Sequence, residues 1–178
     1  MADRSGARVH VIDLASGERV SSWKVGKRPV ALALDVERER LYVAVRAGVE
    51  VYATSSGKRV ASLQVDAPSD LAFDVHTRQL WVLSGDTGTV GVLDPRSGDW
   101  TATGFSRPGA TGMDVDGERG LLYLTGPERT LEEWDVRTAT VRRLALSEPA
   151  AALRIDPASL IAYLADPDGN CVVAVSVA

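Results

Sequence analysis

The sequence predicts an all-β protein that is built from repeats of about 40 residues. Prolines recur at a nearly constant spacing, at Pro29, Pro68, Pro108 and Pro149. Short stretches rich in β-branched and aromatic residues alternate with glycine, serine and aspartate turns, and a helical spacing of apolar residues is nowhere sustained. Several short strands in each repeat of this length are typical of the blades of a β-propeller.

Each repeat contains four strand positions. The first follows the proline, and the second carries an aromatic residue in every copy, at Tyr42, Trp81, Tyr123 and Tyr163. The third begins with an apolar residue in every copy, at Val9, Val49, Val90, Leu131 and Val172. The fourth follows a turn, where glycine supplies a positive φ in three copies, and its copies span residues 19–25, 59–65, 100–105 and 141–146.

These positions predict a single propeller domain over residues 1–178, with about four four-stranded blades. The repeat units span residues 26–65, 66–105 and 106–146, with partial units at 1–25 and 147–178. The third position occurs five times and the others occur four times each, which makes 17 strand positions. One strand is therefore left over when four blades are complete.

The additional strand leaves three ways to complete the ring. In the first, the strands at 8–13 and 19–25 complete the last blade with those at 152–156 and 161–165, and residues 171–178 are surplus. In the second, two chains join into an eight-bladed ring. In the third, the chain is a portion of a larger propeller. Because open strand edges favour pairing with another chain, a homodimer is one expected state.

Aspartates near the ends of the first strands are interpreted as turn residues, because they recur in every copy whereas an active site is unique. They are Asp35, Asp74, Asp114 and Asp156. The residues two positions earlier are expected to lie close to the propeller axis, where space is narrow: Ala33, Ala72, Gly112 and Arg154. Since an unpaired buried guanidinium costs several kcal/mol, Arg154 points either into a wet channel or toward a face that lacks a close neighbour.

The repeat resembles the YVTN-type β-propeller repeat of the WD40/YVTN repeat-like superfamily. The resemblance is carried by Gly26–Asp35, Leu41–Ala44, Asp86–Asp94 and Tyr163–Asn170, and it covers nearly the whole chain. It implies the fold more specifically than the function. Propellers that resemble it usually have about seven blades and include lactonases, a lyase that acts on cyclic antibiotics and quinone-dependent dehydrogenases.

Composition excludes several function classes. The formal net charge of −4 and the absence of a basic stripe weigh against nucleic-acid binding. No apolar run has the length of about 20 residues that a membrane helix needs, so no membrane association is expected. Cys171 is the single cysteine, begins an apolar strand and is expected to be a buried thiol. The chain as given has no signal peptide, which indicates a cytoplasmic location unless the parent protein is secreted.

Charged loops supply the candidate binding site. The loops between second and third strands, together with the loops between blades, are expected to share one rim of the propeller. The candidate ligand- or partner-binding residues on this rim are Arg28, Arg46, Asp86, Arg107, Arg129 and Asp168. Their mixed charge suits a polar protein partner or a small anionic ligand, although charged loops are also an ordinary solvated surface.

No catalytic residue, metal site or cofactor is predicted. Neither His10 nor His76 lies beside a candidate nucleophile, and no Cys/His cluster suggests zinc. Asp166–Asn170 resembles the start of a calcium loop, but Val177 stands where such a loop needs a glutamate, so a turn is the better interpretation.

The sequence therefore predicts a non-catalytic propeller scaffold that binds a protein or ligand through its charged rim. A propeller enzyme of the lactonase, lyase or quinone-dependent dehydrogenase type is the alternative, as is a fragment of a larger propeller. The outer-strand tryptophans Trp23, Trp100 and Trp134 are either part of ordinary blade packing or anchors for a partner.

Overall fold

The computed structural model describes residues 1–178, which form 18 β-strands in five antiparallel sheets. We number these sheets blades 1 to 5 along the chain. Blade 1 contains β1 (Ala2–Asp3), β2 (Arg8–Ile12) and β3 (Arg19–Lys24). Blade 2 contains β4 (Ala31–Asp35), β5 (Arg40–Val45), β6 (Gly48–Ala53) and β7 (Arg59–Leu63). Blade 3 contains β8 (Pro68–Asp74), β9 (Gln79–Ser84), β10 (Thr89–Leu93) and β11 (Trp100–Ser106).

Blade 4 contains β12 (Gly112–Asp116), β13 (Leu121–Thr125), β14 (Thr130–Asp135) and β15 (Thr140–Ala145), and blade 5 contains β16 (Ala152–Asp156), β17 (Ile161–Asp166) and β18 (Cys171–Ser176). No helix capable of crossing a membrane is present. In blades 2 to 4 each strand pairs with the next in sequence, so the sheet order follows the chain.

The propeller prediction is confirmed, but the count of about four blades is wrong. Three blades have four strands, whereas blade 1 lacks a first strand and blade 5 lacks a fourth. The strand that the sequence count missed is β1, whose Ala2 pairs with Val9 as Ala44 pairs with Val49 in blade 2. Neither terminal segment behaves as a surplus strand: β2 and β3 pair with each other, and β18 pairs with β17. The eight-bladed dimeric ring stays a prediction.

The first strands lie innermost, because β4, β8, β12 and β16 contact one another in succession. Four apolar clusters fill the spaces between consecutive blades, from blade 1 to blade 5. Successive side chains of each strand point to opposite sides of the blade, so one strand contributes to the clusters on both sides. None of these clusters joins blade 5 to blade 1, so the five blades form an open arc.

The aspartate that ends the inner strand of blade 4 is Asp116, and the prediction of Asp114 is wrong. Asp116 pairs with Leu121 as Asp74 pairs with Gln79. Its carboxylate accepts the Arg119 N–H in the turn at 3.1 Å. The equivalent aspartates of blades 2, 3 and 5 make the same kind of turn, as predicted. Asp116 lies eight positions after Pro108, whereas Asp35 and Asp74 lie six positions after their prolines, so the count from Pro108 reached Asp114 instead.

The tryptophans pack between neighbouring blades. Trp81 is buried, as expected for its strand position. Trp23 stacks on Tyr52 with ring centroids 6.5 Å apart, and Trp134 meets Phe105 edge to face. These contacts support the packing interpretation of the outer-strand tryptophans.

The buried thiol predicted at Cys171 is wrong, because Cys171 is exposed. It lies on β18, which forms the free outer edge of blade 5 and has no fourth strand beside it. The apolar run predicted a strand correctly, but the burial of that strand depends on a neighbour that blade 5 does not have.

Candidate functional site

Loops of two kinds meet at one end of the propeller and form its rim. Each loop between blades is bonded to a loop between second and third strands: the Arg46 N–H donates to the Lys27 carbonyl at 3.0 Å, and the Gly85 N–H donates to the Ala67 carbonyl at 2.9 Å. These backbone bonds hold the loops at fixed distances from one another. The positions of the side chains that they carry are therefore set by the scaffold.

A concavity of about 690 Å³ opens at this rim, and loops of blades 1 to 4 line it. We call it the rim concavity and define it by Arg4, Arg28, Arg46, Asp86 and Thr111. Arg4 follows β1, Arg28 lies between blades 1 and 2, and Arg46 follows β5. Three guanidinium groups and one carboxylate thus face one space.

The arginines of the rim concavity have no ionic partner. None of the Arg4, Arg28 and Arg46 side chains makes a salt bridge or a hydrogen bond within the chain. All three are exposed. The formal charge of these three arginines and Asp86 is +2, in a chain with a net charge of −4. The rim concavity is therefore a locally positive region on an acidic protein.

Two loop residues beside the rim concavity adopt an unfavourable backbone conformation. Arg28 has φ of 56° and Ala67 has φ of 42°, and each precedes a proline. The left-handed region is uncommon for residues other than glycine, and a following proline narrows the choice further. Such strain persists only where the surrounding structure imposes it. Here the bonds between neighbouring loops supply that constraint.

Arg107, a fourth predicted binding residue, is buried and holds loops together. Its Nη2 donates to Thr130 Oγ1 at 2.7 Å and lies 3.4 Å from Glu128 Oε2. Its Nε lies 3.8 Å from Glu132 Oε1. Arg107 Nη1 has no partner, but Arg107 does not line the rim concavity. These contacts give Arg107 a structural position between blades 3 and 4.

Arg129 and Asp168 lie on rim loops away from the rim concavity. Arg129 pairs with Glu148 at 3.3 Å, and both side chains are about half exposed. The Asp168 N–H donates to Asp166 Oδ1 at 3.0 Å, within a turn that also uses the Gly169 N–H. The Asp166–Asn170 segment is thus a hydrogen-bonded turn, as the sequence favoured. No group of three or more His, Cys, Asp or Glu side chains is arranged to hold a metal ion.

The structure therefore brings three of the six predicted residues together, namely Arg28, Arg46 and Asp86, and adds Arg4. Sequence reasoning missed Arg4 because no strand was assigned to residues 1–7 of the partial unit 1–25. The available signal was the spacing of seven residues between Ala2 and Val9, which equals the spacing between Leu83 and Val90 in blade 3 and between Ala165 and Val172 in blade 5.

A second group of charges lies on the inner strands. Asp70 of β8 accepts the Met113 N–H of blade 4 at 2.9 Å, and its Oδ1 lies 3.6 Å from Arg154 Nη2 of blade 5. Asp114 makes a similar link one blade further, since it accepts the Ile155 N–H at 2.9 Å. Burial raises the pKa of both carboxyls above the ordinary value, while the Arg154 guanidinium acts in the opposite direction.

Arg154 and Asp114 occupy equivalent positions in neighbouring blades. Asp114 pairs with the aromatic Tyr123, and Arg154 pairs with Tyr163. The axial position of blade 4 is therefore Asp114, and the assignment of Gly112 to it is wrong, because the axial residue lies six positions after the proline in blade 4 but four in blades 2 and 3. The Arg154 side chain is 54% exposed, so its guanidinium reaches a buried carboxylate from a hydrated position.

We expect Arg154→Ala to destabilise the protein by about 1–3 kcal/mol at pH values where Asp70 is ionised, because it leaves that carboxylate without its counter-ion. The raised pKa means that ionisation of Asp70 opposes folding as the pH rises through the folded-state value. Arg154 limits that loss. The destabilisation should therefore fade as the pH falls below the folded-state value, which lies above the ordinary 3.8, because Asp70 is then protonated. Urea unfolding across this range measures it.

The matched control is Arg96→Ala, which removes an exposed arginine that has no salt bridge. In an Asp70→Asn background, Arg154→Ala should have little effect. If Arg154→Ala is neutral or stabilising at every pH, the Asp70 pair does not contribute to stability.

Comparisons with known proteins support the fold. No protein-family model matches the chain, and no curated protein matches it in sequence. Among solved structures, a chain of a nidogen/laminin complex has a TM-score of 0.76 at 16% identity, over 90% of this chain and 67% of that chain. The fold is that of a β-propeller.

Two further solved structures are similar. A chain of Kuenenia stuttgartiensis hydrazine synthase has a TM-score of 0.74 at 14% identity, over 99% of this chain and 79% of that chain. A chain of a mitotic checkpoint complex has a TM-score of 0.70 at 18% identity, over 97% of this chain and 56% of that chain. At these identities the likeness concerns the fold alone, and one fold hosts many unrelated functions. No family model confirms the YVTN-type resemblance, which stays a prediction.

Proposed function

We propose that this protein is a non-catalytic binding scaffold whose rim concavity holds an anionic group of a protein partner or a small ligand. The observation that carries the proposal is the convergence of Arg4, Arg28 and Arg46 on one space without any ionic partner. Guanidinium groups form strong charge-assisted hydrogen bonds to carboxylates and phosphates. An anion is therefore the ligand chemistry that these residues fit best.

The constrained backbone of the rim loops supports a binding site rather than an ordinary solvated surface. The bond from Arg46 N–H to the Lys27 carbonyl and the strained backbone of Arg28 fix two of the three arginines at their α-carbons. A site whose backbone is already ordered loses less conformational entropy on binding. Two of the three similar solved structures come from protein complexes, which is compatible with a protein partner for this chain.

We expect Arg28→Ala and Arg46→Ala each to weaken anion binding about tenfold or more, because a hydrogen bond to a charged group contributes about 1.5–3 kcal/mol. The probes are an oligoglutamate peptide, a phosphopeptide and inorganic phosphate, measured by isothermal titration calorimetry. Binding should also weaken with added salt, since the concavity is open to solvent.

Arg96→Ala is the matched control, because Arg96 is exposed, has no salt bridge and lies outside the rim concavity. It should leave the affinity unchanged. The proposal is contradicted if none of the probes binds, or if Arg96→Ala weakens binding as much as the two rim variants do.

A further inference from the structure

Blades 1 to 4 each bury one side against the next blade along the chain, which we call the forward face. The aromatic residue of the second strand lies on this face and is almost fully buried, with exposed fractions of 1% for Tyr42, 6% for Trp81 and 0% for Tyr123. The first apolar residue of the third strand is also buried on this face. Its exposed fraction does not exceed 2% in any of the four copies, which are Val9, Val49, Val90 and Leu131.

The forward face of blade 5 is uncovered. Tyr163 is 43% exposed and Val172 is 68% exposed, although they occupy the same two repeat positions. Ala152 and Ala174 beside them are also exposed. The residue types match those of a buried face, so this surface resembles an interface whose partner surface is absent from the single chain.

The repeat itself shows what a forward face binds. In all four internal cases the covering surface is the opposite side of a following blade, which we call the back face, and in blade 2 it includes Val43 and Tyr52. Blade 1 has a back face that no blade covers. Its partly exposed Ile12 stands at the position of Tyr52, since each pairs across the same bulge with an arginine of the fourth strand.

The chain therefore presents two complementary uncovered faces. The forward face of blade 5 has the residue types that a following blade covers, and the back face of blade 1 is the kind of surface that covers them. Arg154 does not block this contact, because its guanidinium turns toward blades 3 and 4, where it pairs with Asp70 and donates to the Met113 carbonyl at 3.2 Å.

We propose that the forward face of blade 5 binds the back face of blade 1 of a second copy of this chain, head to tail. Within one chain the two faces do not share an apolar cluster, so the contact is made between chains. Such a heterologous contact closes into a ring or continues as an open assembly, according to the rotation between subunits. The interface is separate from the rim concavity and does not depend on what that concavity binds.

Solution mass tests the proposal. We expect the wild-type chain to have at least twice the 19.0 kDa mass of one chain by light scattering. Tyr163→Glu and Val172→Glu should each reduce the mass to that of one chain, because a charge then faces an apolar surface. Leu14→Glu, at a turn residue that is 96% exposed, should leave the assembly intact. Circular dichroism checks that each variant is folded, and Val172→Glu, at the more exposed site, serves if Tyr163→Glu unfolds.

Mixing the variants tests the head-to-tail direction. Ile12→Glu should also give single chains, since it alters the back face of blade 1. A mixture of Ile12→Glu with Tyr163→Glu should form a pair, because each variant keeps the face that the other has lost. A monomeric wild-type chain would overturn the proposal, as would an assembly that survives both blade 5 variants. A symmetric contact between two blade 5 faces would also overturn the proposal, and it would be revealed if Ile12→Glu still pairs on its own.

Discussion

Gly88→Ala is expected to destabilise the protein by about 3 kcal/mol or more, because an added Cβ would collide with backbone atoms. It would lie 2.0 Å from the Arg107 carbonyl oxygen and 2.6 Å from Pro108 N. The Arg107 N–H also donates to the Gly88 carbonyl at 3.0 Å, so these two loops cannot separate without breaking that bond. Thermal or urea unfolding measures the loss.

Gly17→Ala is the matched control for this prediction. Gly17 has φ of 71° and Gly88 has φ of 69°, so both substitutions bring the same left-handed strain of about 1–2 kcal/mol. No atom lies within 4 Å of a Cβ added at Gly17. The difference between the two variants therefore isolates the collision with the Arg107 loop. Equal losses in both variants would show that the loop moves aside at little cost.

Glu50→Gln is expected to destabilise the protein by about 2–3 kcal/mol near neutral pH, because Glu50 is a buried carboxylate with three donors. It accepts the Tyr52 O–H and the Gly26 N–H, each at 2.7 Å, together with Arg59 Nη1. Gly26 belongs to the loop from blade 1 to blade 2, so these bonds join the two blades. An amide keeps the shape but loses the charge and offers fewer acceptor sites.

The pH dependence of this variant follows from the pKa of Glu50. Burial alone would raise the pKa, but the bonds from Tyr52, Gly26 and Arg59 outweigh burial and lower it below 4.5. A lowered pKa stabilises the folded state above the ordinary value, and that contribution is lost as the pH falls through the folded-state value. The gap between wild type and Glu50→Gln should therefore narrow in acid.

Glu18→Gln, at an exposed turn residue whose side chain has no hydrogen bond, is the control and should be neutral throughout. Urea unfolding at a series of pH values compares the three proteins. A constant gap between wild type and Glu50→Gln at all pH values would contradict the assignment of the effect to the ionised carboxylate.

The candidate site was only partly predictable from the sequence. Arg28, Arg46 and Asp86 could be assigned to the rim because strand alternation places their loops at one end. Arg107 has the same loop position, yet its side chain turns into the contact with Thr130 and Glu132. Strand spacing assigns a residue to a loop but carries no information about which way its side chain points.

Counting residues from prolines failed where the distance from the proline to its strand varied. Asp114 was matched to Asp74 by its distance from Pro108, whereas strand pairing matches Asp116 to Asp74. Register is decided by bonds between strands, and extra residues between a proline and its strand shift the count without shifting the register. The inner-strand link from Asp114 to the Ile155 N–H was hidden by this error.

The sequence by itself determined the all-β repeat, the order of strands in each blade and the turn role of most repeat aspartates. These features depend on alternation and turn chemistry within a few residues, which the chain displays directly. The tertiary structure alone decided that there are five blades in an open arc, that Arg4 joins Arg28 and Arg46, and that Tyr163 and Val172 lie uncovered. Those features depend on contacts between residues far apart in the chain, where small differences in loop length and the presence of a neighbouring blade determine burial.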